Sequence, residues 1–385
     1  MEVTRGMSLS GEYYATKGEL MRLTLGNFDY RNNCFKNDTS KSNLYFTGDV
    51  KDEFILNKGD IITPLTEQAI GLLGSTAKIP CGGKYIQSQD VALITCNEKL
   101  YPDFAFYLIP SRLVRKQLSA AAQQTKIRHT SPDKIKDCIV WIPEYAEQEK
   151  IGKLLSSLDD KIALNRRMNE KLETMAKRLY DRWFVQFDFP DADGRPYKTS
   201  GGKMAWSAAL KREIPAGWEV KRLGDFIEIR NGKDHSHLKD GEVPVYGSGG
   251  FMRKVCDFLY EGESVLFPRK GSLNNIMYKN EKFWTVDTMF YSRMKVPQSA
   301  IYVYHTAKQF DFVRMNTGTG VPSMTSVIIK DLPIIQPSQK YIDKFDVFVQ
   351  SLYLKIHENE SENQKLTVLR DCLLPLLMNG QVAVG

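Results

Sequence analysis

Few residues of this sequence are spaced for catalysis or for holding a metal ion. His235 and His237 form a His-x-His pair, but no third ligand lies nearby, so we interpret them as solvated loop residues. Pro190-Asp191 followed by Glu219-Val220-Lys221 copies the carboxylate and lysine spacing of a metal-dependent nuclease. The first part lies in a connector and the second reads as an ordinary strand. We therefore predict no catalytic residue and no metal site.

Glycine-rich segments are present but lack the residues that phosphate chemistry needs. YGSGG at 246–250 and TGTGVPS at 317–323 have no lysine to hold a terminal phosphate, and we interpret both as turns. The sequence also contains no GxxxxGK[ST] loop, and no FxGxG followed by an Asn-Pro-Pro-Tyr type motif. These observations exclude a translocating ATPase and an S-adenosylmethionine methylation centre built from this sequence.

Several polar loops instead combine cations with forked or amide side chains. Arg, Asn and Gln can bond to guanine or adenine edges, whereas Lys126 and Lys270 are expected to hold phosphates. Each residue alone could be an ordinary hydrophilic loop residue, but as a set they are the best positions for DNA readout. In the first half, the candidate DNA-binding residues are Asn27, Asp29, Tyr30, Arg31, Thr66, Glu67, Gln68, Gln123, Gln124, Lys126, Arg128 and His129. In the second half, they are Ser248, Arg253, Lys254, Arg269, Lys270, Ser272, Asn274, Asn275, Thr317 and Thr319.

The composition sets the scale of the scaffold that carries these loops. The 385 residues, 42% hydrophobic and 26% charged, are enough for two or three domains, and the net charge of +7 fits a polyanion-binding protein. Six cysteines without a CxxC pair indicate neither a zinc ribbon nor a disulfide framework. The start has no signal-peptide pattern and the apolar runs are too short to span a bilayer, so we expect a cytoplasmic location and no membrane partner.

Two long segments repeat at a constant offset of 194 residues without a gap. The segment from Pro143 superposes on the segment from Pro337, and Asn165 and Asn169 fall on Asn359 and Asn363. Apolar residues recur every seven positions in both copies, which is typical of a coiled coil. The predicted helix-pairing residues are Leu158, Ile162, Asn165, Asn169, Leu172, Leu352, Ile356, Asn359, Asn363 and Leu366. The alternative, two unrelated amphipathic helices, leaves the matched asparagines unexplained.

Each repeated helix follows a globular region of mixed strands and helices. Alternating apolar segments such as FILNKGDIIT and ESVLFP read as strands, and one further helix is predicted at 101–122. We predict an α+β protein with two mixed α/β domains in tandem, each followed by a long helix, the helices pairing as an antiparallel coiled coil with pseudo-twofold symmetry. The predicted segments are a first domain at 1–142, a helix at 143–186, a connector at 187–213, a second domain at 214–336 and a helix at 337–385.

This order and several motifs resemble the specificity subunit of type I restriction-modification systems, the HsdS family. The resemblance covers nearly the whole chain. The family's central helix is matched by EQEKIGKLLSSLDDKIALNRRMNEKLETMAKRLYDRWF, the opening of its second target-recognition domain by IPAGWEVKRLGDFIEIRNGK, and its C-terminal end by LRDCLLPLLMNGQVAV. PLTEQAIGLLG and VLFPRKGSLNNIMY also resemble recurring recognition-domain segments. The first half departs from the pattern, because it has no clear IPxGWxxxxLGD opening.

The resemblance implies a non-catalytic subunit that reads a bipartite DNA target. Its expected partners are double-stranded DNA, two methyltransferase subunits of the HsdM type and restriction and translocase subunits of the HsdR type. No cofactor is expected in this chain, while S-adenosylmethionine, ATP and Mg²⁺ are expected in the partners. A 36-residue helix is about 54 Å long, more than the roughly 34 Å turn of duplex DNA, so the helices are interpreted as spacers. The alternatives are a methylation-only system, a self-sufficient nuclease or methyltransferase, and a coiled-coil scaffold that does not bind DNA.

Overall fold

A computed structural model describes residues 1–30, 32–38, 41–67, 71–121 and 128–384 of the chain. The first strands are β1 (Glu2–Arg5), β2 (Tyr14–Ala15), β3 (Leu20–Arg22), β4 (Phe28–Asp29), β5 (Cys34–Phe35), β6 (Tyr45–Phe46), β7 (Ile61–Pro64), β8 (Thr66–Glu67), β9 (Ala77–Lys78), β10 (Tyr85–Ile86), β11 (Val91–Thr95) and β12 (Arg128–His129). The later strands are β13 (Met204–Ser207), β14 (Arg212–Pro215), β15 (Glu219–Arg222), β16 (Ile227–Asn231), β17 (Val243–Gly247), β18 (Gly250–Val255), β19 (Tyr260–Pro268), β20 (Met277–Thr285), β21 (Met289–Met294) and β22 (Pro333–Gln336). The α-helices are α1 (Pro102–Leu108), α2 (Arg112–Ala121), α3 (Pro132–Lys136), α4 (Tyr145–Tyr180), α5 (Leu223–Phe226), α6 (Ala300–Ala307), α7 (Ser326–Asp331) and α8 (Gln339–Met378).

The chain folds into two compact units, and each long helix contributes to both. The first unit comprises Met1–Arg166 and Glu360–Gly385, and the second comprises Arg167–Asn359. The predicted mixed α and β content and the two long helices are confirmed. The helix predicted at 101–122 is two helices, α1 and α2, because Pro110 between them has no backbone N–H. None of the helices in the described ranges is long and apolar enough to cross a membrane.

The first unit is built around a four-stranded sheet in the order β1-β11-β7-β9, with antiparallel neighbours. Helices α1 and α2 bury Phe104 and Leu118 in a core that also takes Leu155 of α4. Gly152 allows α4 to lie close to α1, because a Cβ atom there would stand 2.9 Å from the backbone nitrogen of Phe104. The N-terminal part of α4 is therefore a structural element of this unit.

The second unit contains a six-stranded sheet in the order β16-β21-β19-β20-β17-β18. The end of α4 continues as one π-helical turn, Asp181–Val185, which places Trp183 and Phe184 in an aromatic core. The Phe184 ring contacts the rings of Tyr302 of α6 and Phe345 of α8, with centroids 4.6 and 5.1 Å apart. This core joins the sheet to both long helices.

Asparagine amides connect α4 to α8 within each unit. In the first unit, Asn165 Nδ2 donates to Asn363 Oδ1 at 3.0 Å and to Glu362 Oε2 at 2.7 Å. In the second, Asn359 Nδ2 donates to Asn169 Oδ1 at 2.7 Å. The offset of 194 places Asn165 on Asn359 and Asn169 on Asn363, so the two amide pairs occupy equivalent positions in the repeat. Because later residues of α4 meet earlier residues of α8 in each unit, the helices are antiparallel there.

Candidate nucleic-acid interface

The candidate residues of the second unit lie largely around one loop cluster. It consists of the turn after β19 (269–276), the segment 316–324 and the hairpin between β17 and β18. Backbone bonds join the first two parts: Gly271 N donates to Pro322 O at 2.9 Å, and Met324 N donates to Arg269 O at 2.8 Å. The hairpin lies against them, since a Cβ atom on Gly271 would stand 2.7 Å from Ser248 Oγ. We call this group the second-unit loop cluster.

Two amide side chains hold the backbone of this cluster. Asn274 Oδ1 accepts from the Phe312 backbone N–H at 2.8 Å, and its Nδ2 donates to Asp311 Oδ1 at 3.2 Å, which lowers the pKa of that carboxyl. Asn275 Nδ2 donates to Ser248 O at 2.9 Å. The residue type predicts that both asparagines read bases. In the structure, their side chains form hydrogen bonds that hold the loops together.

The cationic groups of the cluster are more accessible. Lys270 is exposed, as are Ser272, Thr317 and Thr319. Arg269 is half-buried, and its guanidinium lies 6.0 Å from the centroid of the Phe290 ring and makes a long 3.5 Å bond to Asp287 O. An arginine held by such weak contacts can turn its fork toward a ligand at low cost.

Arg253 and Lys254 lie on β18 and support another loop. Arg253 donates to the backbone oxygens of His235 and Leu238 at 2.7 and 2.8 Å, and Lys254 Nζ lies 3.2 Å from Glu242 Oε2. The structure therefore does not place them with the second-unit loop cluster by any described contact. Within the described ranges, no three His, Cys, Asp or Glu side chains converge as metal ligands.

In the first unit, β8 and β12 pair antiparallel and bring two segments of candidates together. Thr66 pairs with His129 and Glu67 with Arg128 in this ladder. The Thr66 hydroxyl lies 3.3 Å from His129 Nδ1 and donates to Asp90 Oδ1 at 3.1 Å. The His129 side chain is exposed beside this buried hydroxyl.

Glu67 is buried and holds the backbone at Gly71 and Leu72. Its Oε1 atom accepts from the backbone N–H groups of Gly71 and Leu72 at 2.7 and 3.1 Å, and its Oε2 lies 3.6 Å from Arg128 Nη1. Arg115 of α2 also holds this backbone by donating to Gly71 O at 3.1 Å, and burial lowers the pKa of its guanidinium. Sequence reasoning missed Arg115, because a single arginine on an amphipathic helix looks like a solvated one.

Asn27 and Asp29 shape a neighbouring turn. Asn27 is buried, accepts from the Thr24 backbone N–H at 2.8 Å and donates to Lys36 O at 3.1 Å. Asp29 accepts from the backbone and side-chain nitrogens of Asn32 at 3.1 and 2.7 Å. Tyr30 is half-buried against the core of this unit. The remaining candidates, Arg31, Gln68, Gln123, Gln124 and Lys126, lie outside the described residues.

A polar cavity of about 360 Å³ lies beside these turns in the first unit. Arg22, Asp38 and Lys41 line it, and Asp90, the partner of Thr66, forms part of its wall. The Arg22 guanidinium stacks over the Tyr14 ring at 4.0 Å. Periodicity could not have revealed this cavity, because its walls come from segments distant in the sequence.

The family is decided by two matches along the chain. The model of the type I restriction modification DNA specificity domain matches residues 23–174 and again residues 215–369. The chain belongs to this family. The match confirms the resemblance seen in the sequence, the tandem arrangement and the prediction of a specificity subunit rather than a catalytic one.

Two specificity subunits illustrate the relationship. The type I restriction enzyme MjaIX specificity subunit of Methanocaldococcus jannaschii is 26% identical over 311 residues, which cover 73% of this chain and 69% of that protein. The HindI specificity subunit of Haemophilus influenzae is 24% identical over 376 residues, covering 77% of this chain and 81% of the relative.

A solved specificity subunit shares the fold of the chain. The crystal structure of the type I restriction-modification S subunit from M. genitalium aligns with a TM-score of 0.59 at 17% identity, covering 98% of this chain and 93% of that one. At this identity the likeness shows the fold of this specificity subunit alone.

Proposed function

We propose that this specificity subunit reads a bipartite duplex DNA target, with one half-site recognised by each unit. The observation that supports this most directly is the second-unit loop cluster, where half-buried Arg269 and exposed Lys270 lie on loops held by hydrogen bonds from the side-chain amides of Asn274 and Asn275. A fixed backbone limits the entropy lost on binding, and a forked guanidinium can bond to both acceptors of a guanine edge. Lys270 then supplies salt-dependent affinity for phosphate.

In the first unit we propose that His129 and Arg128 of β12 and the cavity edge near Arg22 face the other half-site. These groups are exposed or half-exposed around a polar wall that includes Asp90. Asn27 and Glu67, whose polar atoms are engaged within the protein, keep the loops in shape in this proposal. The candidates outside the described residues stay predictions.

The chemistry at the DNA is proposed to come from partner subunits. Methyltransferase subunits carrying S-adenosylmethionine would modify adenine in each half-site, and restriction and translocase subunits using ATP and Mg²⁺ would cleave unmodified DNA. The long helices α4 and α8 are proposed to set the length of the unread spacer. A methylation-only system would use this subunit in the same way without cleavage.

The readout is tested in the intact complex with its methyltransferase. Mapping of methylated adenines first identifies both half-sites. Arg269→Ala should then weaken binding about 5- to 150-fold, corresponding to the 1–3 kcal/mol of a bidentate base contact, and relax the preference at one position of one half-site. Lys270→Ala should weaken binding on all sequences and reduce the salt slope by about one unit. Lys282→Ala, which removes an exposed lysine that pairs with Glu261 and is not among the candidate residues, should bind like the parent.

A uniform loss of binding for Arg269→Ala, or no loss for either cluster variant, would contradict the assignment of this surface.

The spacer proposal has a separate test. Lengthening one helix by a four-residue turn should lengthen the unread spacer and leave both half-sites unchanged. An unaltered spacer in the methylated motif would overturn it.

A further inference from the structure

The hairpin between β17 and β18 exposes two large apolar side chains at adjacent positions. Phe251 and Met252 are each 52% exposed, and they come directly after the hairpin turn and Gly250. Apolar residues scattered singly over a protein surface are ordinary and need no explanation. Two large ones side by side at the end of a hairpin are a different case, because neither is used by the core of the second unit.

A β-bulge brings these two side chains together. The ladder passes from Tyr246 opposite Phe251 to Val245 opposite Arg253. Met252 is thereby left without a partner in the ladder, and the register shifts at this point. In a bulge two residues of one strand oppose one residue of the other, which bends the strand and changes the direction of its side chains. The bulge therefore presents Phe251 and Met252 as a pair.

Hydrogen bonds hold the hairpin on both sides of the pair. Before the bulge, the Asn275 amide donates to Ser248 O in the turn at 2.9 Å. After it, the Arg253 guanidinium donates to two backbone oxygens of residues 235–238 at 2.7 and 2.8 Å. A Cβ atom on Gly247 would stand 2.7 Å from Met252 Sδ, so a larger residue there would displace the methionine. A pair on such a fixed support loses little freedom when it meets a ligand.

The hairpin adjoins the cations of the second-unit loop cluster. Its turn lies against Gly271, because a Cβ atom on that glycine would stand 2.7 Å from Ser248 Oγ. Half-buried Arg269 and exposed Lys270 directly precede this glycine. Such cations attract a polyanion, and proteins that kink duplex DNA insert phenylalanine, methionine and similar side chains between base steps. An apolar pair in this setting fits the base stack of a duplex better than the surface of another protein.

We propose that Phe251 and Met252 form a wedge that enters the base stack of the half-site bound by the second unit. This wedge rests on the proposed DNA readout and adds recognition that uses no hydrogen bond. Insertion separates two neighbouring base pairs, and pyrimidine–purine steps such as TA and CA unstack most easily. The half-site should therefore contain such a step at a fixed position, selected because it deforms readily and not by contacts with its base edges.

The test uses the intact complex with its methyltransferase and duplexes that carry the mapped target. 2-Aminopurine, whose fluorescence rises on unstacking, replaces each base of the half-site in turn, except the methylated adenine. The parent complex should raise the fluorescence at one step and prefer a pyrimidine–purine step there by at least about fivefold. The double variant Phe251→Ala and Met252→Ala should lose both effects, whereas Phe251→Leu, which keeps an apolar wedge, should retain them. Phe258→Ala removes another exposed phenylalanine of the second unit and should retain them too.

Two results would overturn the wedge alone. One is a fluorescence rise at no position, or a rise that the double variant keeps, in a complex whose Arg269→Ala and Lys270→Ala variants lose binding as expected. The other is a double variant that no longer assembles with the methyltransferase in the absence of DNA, which would assign the pair to a protein contact. If Arg269→Ala and Lys270→Ala both bind like the parent, the DNA readout by this cluster fails and the wedge fails with it.

Discussion

Replacing Asn165 by Asp tests the amide contacts between the long helices. Asn165 Nδ2 now donates to Glu362 Oε2 at 2.7 Å, and a carboxylate cannot donate. The lost charge-assisted bond is worth about 1.5–3 kcal/mol. Two like charges 4 Å apart repel by about 4 kcal/mol at an effective dielectric of 20. Lys161, 3.2 Å from the same Glu362 oxygen, offsets part of this repulsion. The two terms amount to about 5.5–7 kcal/mol before the offset by Lys161, so we expect Asn165→Asp to destabilise the first unit by about 3–5 kcal/mol at pH 7.

The repeat supplies a matched control. Asn359→Asp in the second unit faces the neutral amide of Asn169, which can rotate and donate to the new carboxylate. We expect this variant to cost about 1 kcal/mol. Hydrogen exchange by mass spectrometry, followed on peptides of α4 and α8, separates the two units because each variant should lose protection only in its own unit.

The pH dependence gives the charge argument its own check. In the Asn165→Asp variant, repulsion from Glu362 should raise the folded-state pKa of the introduced carboxyl above the unfolded value of about 3.9. A raised folded pKa means that the stability is present at low pH and is lost as the pH rises through that pKa. The deficit of Asn165→Asp should therefore shrink as the pH falls from that raised pKa towards about 4. If Asn165→Asp costs no more than Asn359→Asp at pH 7, the electrostatic reasoning is wrong.

Three further substitutions probe buried groups. Burial, together with Glu263, raises the pKa of Asp346 to about 6, so the stability of the parent protein should fall as the pH rises toward that value. Asp346→Asn should be more stable than the parent by about 1–2 kcal/mol at pH 7.5 and equal to it at pH 4, as measured by urea unfolding. Arg370→Ala leaves the Asp159 carboxylate, now 2.7 Å away, without its cation, and should lower the free energy of unfolding by about 3 kcal/mol. Gly232→Ala forces a Cβ atom toward a backbone oxygen 2.0 Å away, and should destabilise the second unit by more than about 3 kcal/mol in thermal unfolding.

Each of these three substitutions has a control variant, which makes a change at an exposed or unobstructed position where little effect is expected. Glu358→Gln neutralises an exposed carboxylate on the same helix as Asp346, and should change stability by less than about 0.5 kcal/mol at either pH. Asp371→Ala removes the more exposed partner of Arg370, with a similarly small effect. Gly249→Ala introduces a Cβ atom with nothing within 4 Å and should be tolerated. Equal effects of a variant and its control would contradict the stated mechanism.

The long helices were predictable from the sequence because their signal is local and repeated. A seven-residue apolar period and two asparagines at matched offsets are visible without knowing any contact. Which segments of the chain make up each unit was harder to predict. Residues 360–385 complete the first unit through contacts such as Arg370 with Asp159, and no local pattern indicates which partner a helical face will choose.

The candidate site was predictable by residue type and only partly by role. Arg269 and Lys270 lie on loops as expected, but the side chains of Glu67 and Asn27 form hydrogen bonds with nearby backbone groups. An isolated sequence cannot distinguish an amide that reads a ligand from one that holds a loop, because both are polar residues between strands. The role of Arg115 could not be predicted, because its hydrogen-bond partners lie in turns that are distant in the sequence.

The discontinuous make-up of the first unit has a consequence for synthesis on the ribosome. The second unit, Arg167–Asn359, is one continuous stretch, so its core can close as soon as residue 359 has emerged. The first unit begins earlier yet waits for α8, because Leu377 and Met378 complete the core that contains Phe104 and Leu155. Domains usually fold in the order in which they are made. Here the part synthesised first is expected to be finished last, with its apolar faces exposed during the interval and in need of protection by chaperones.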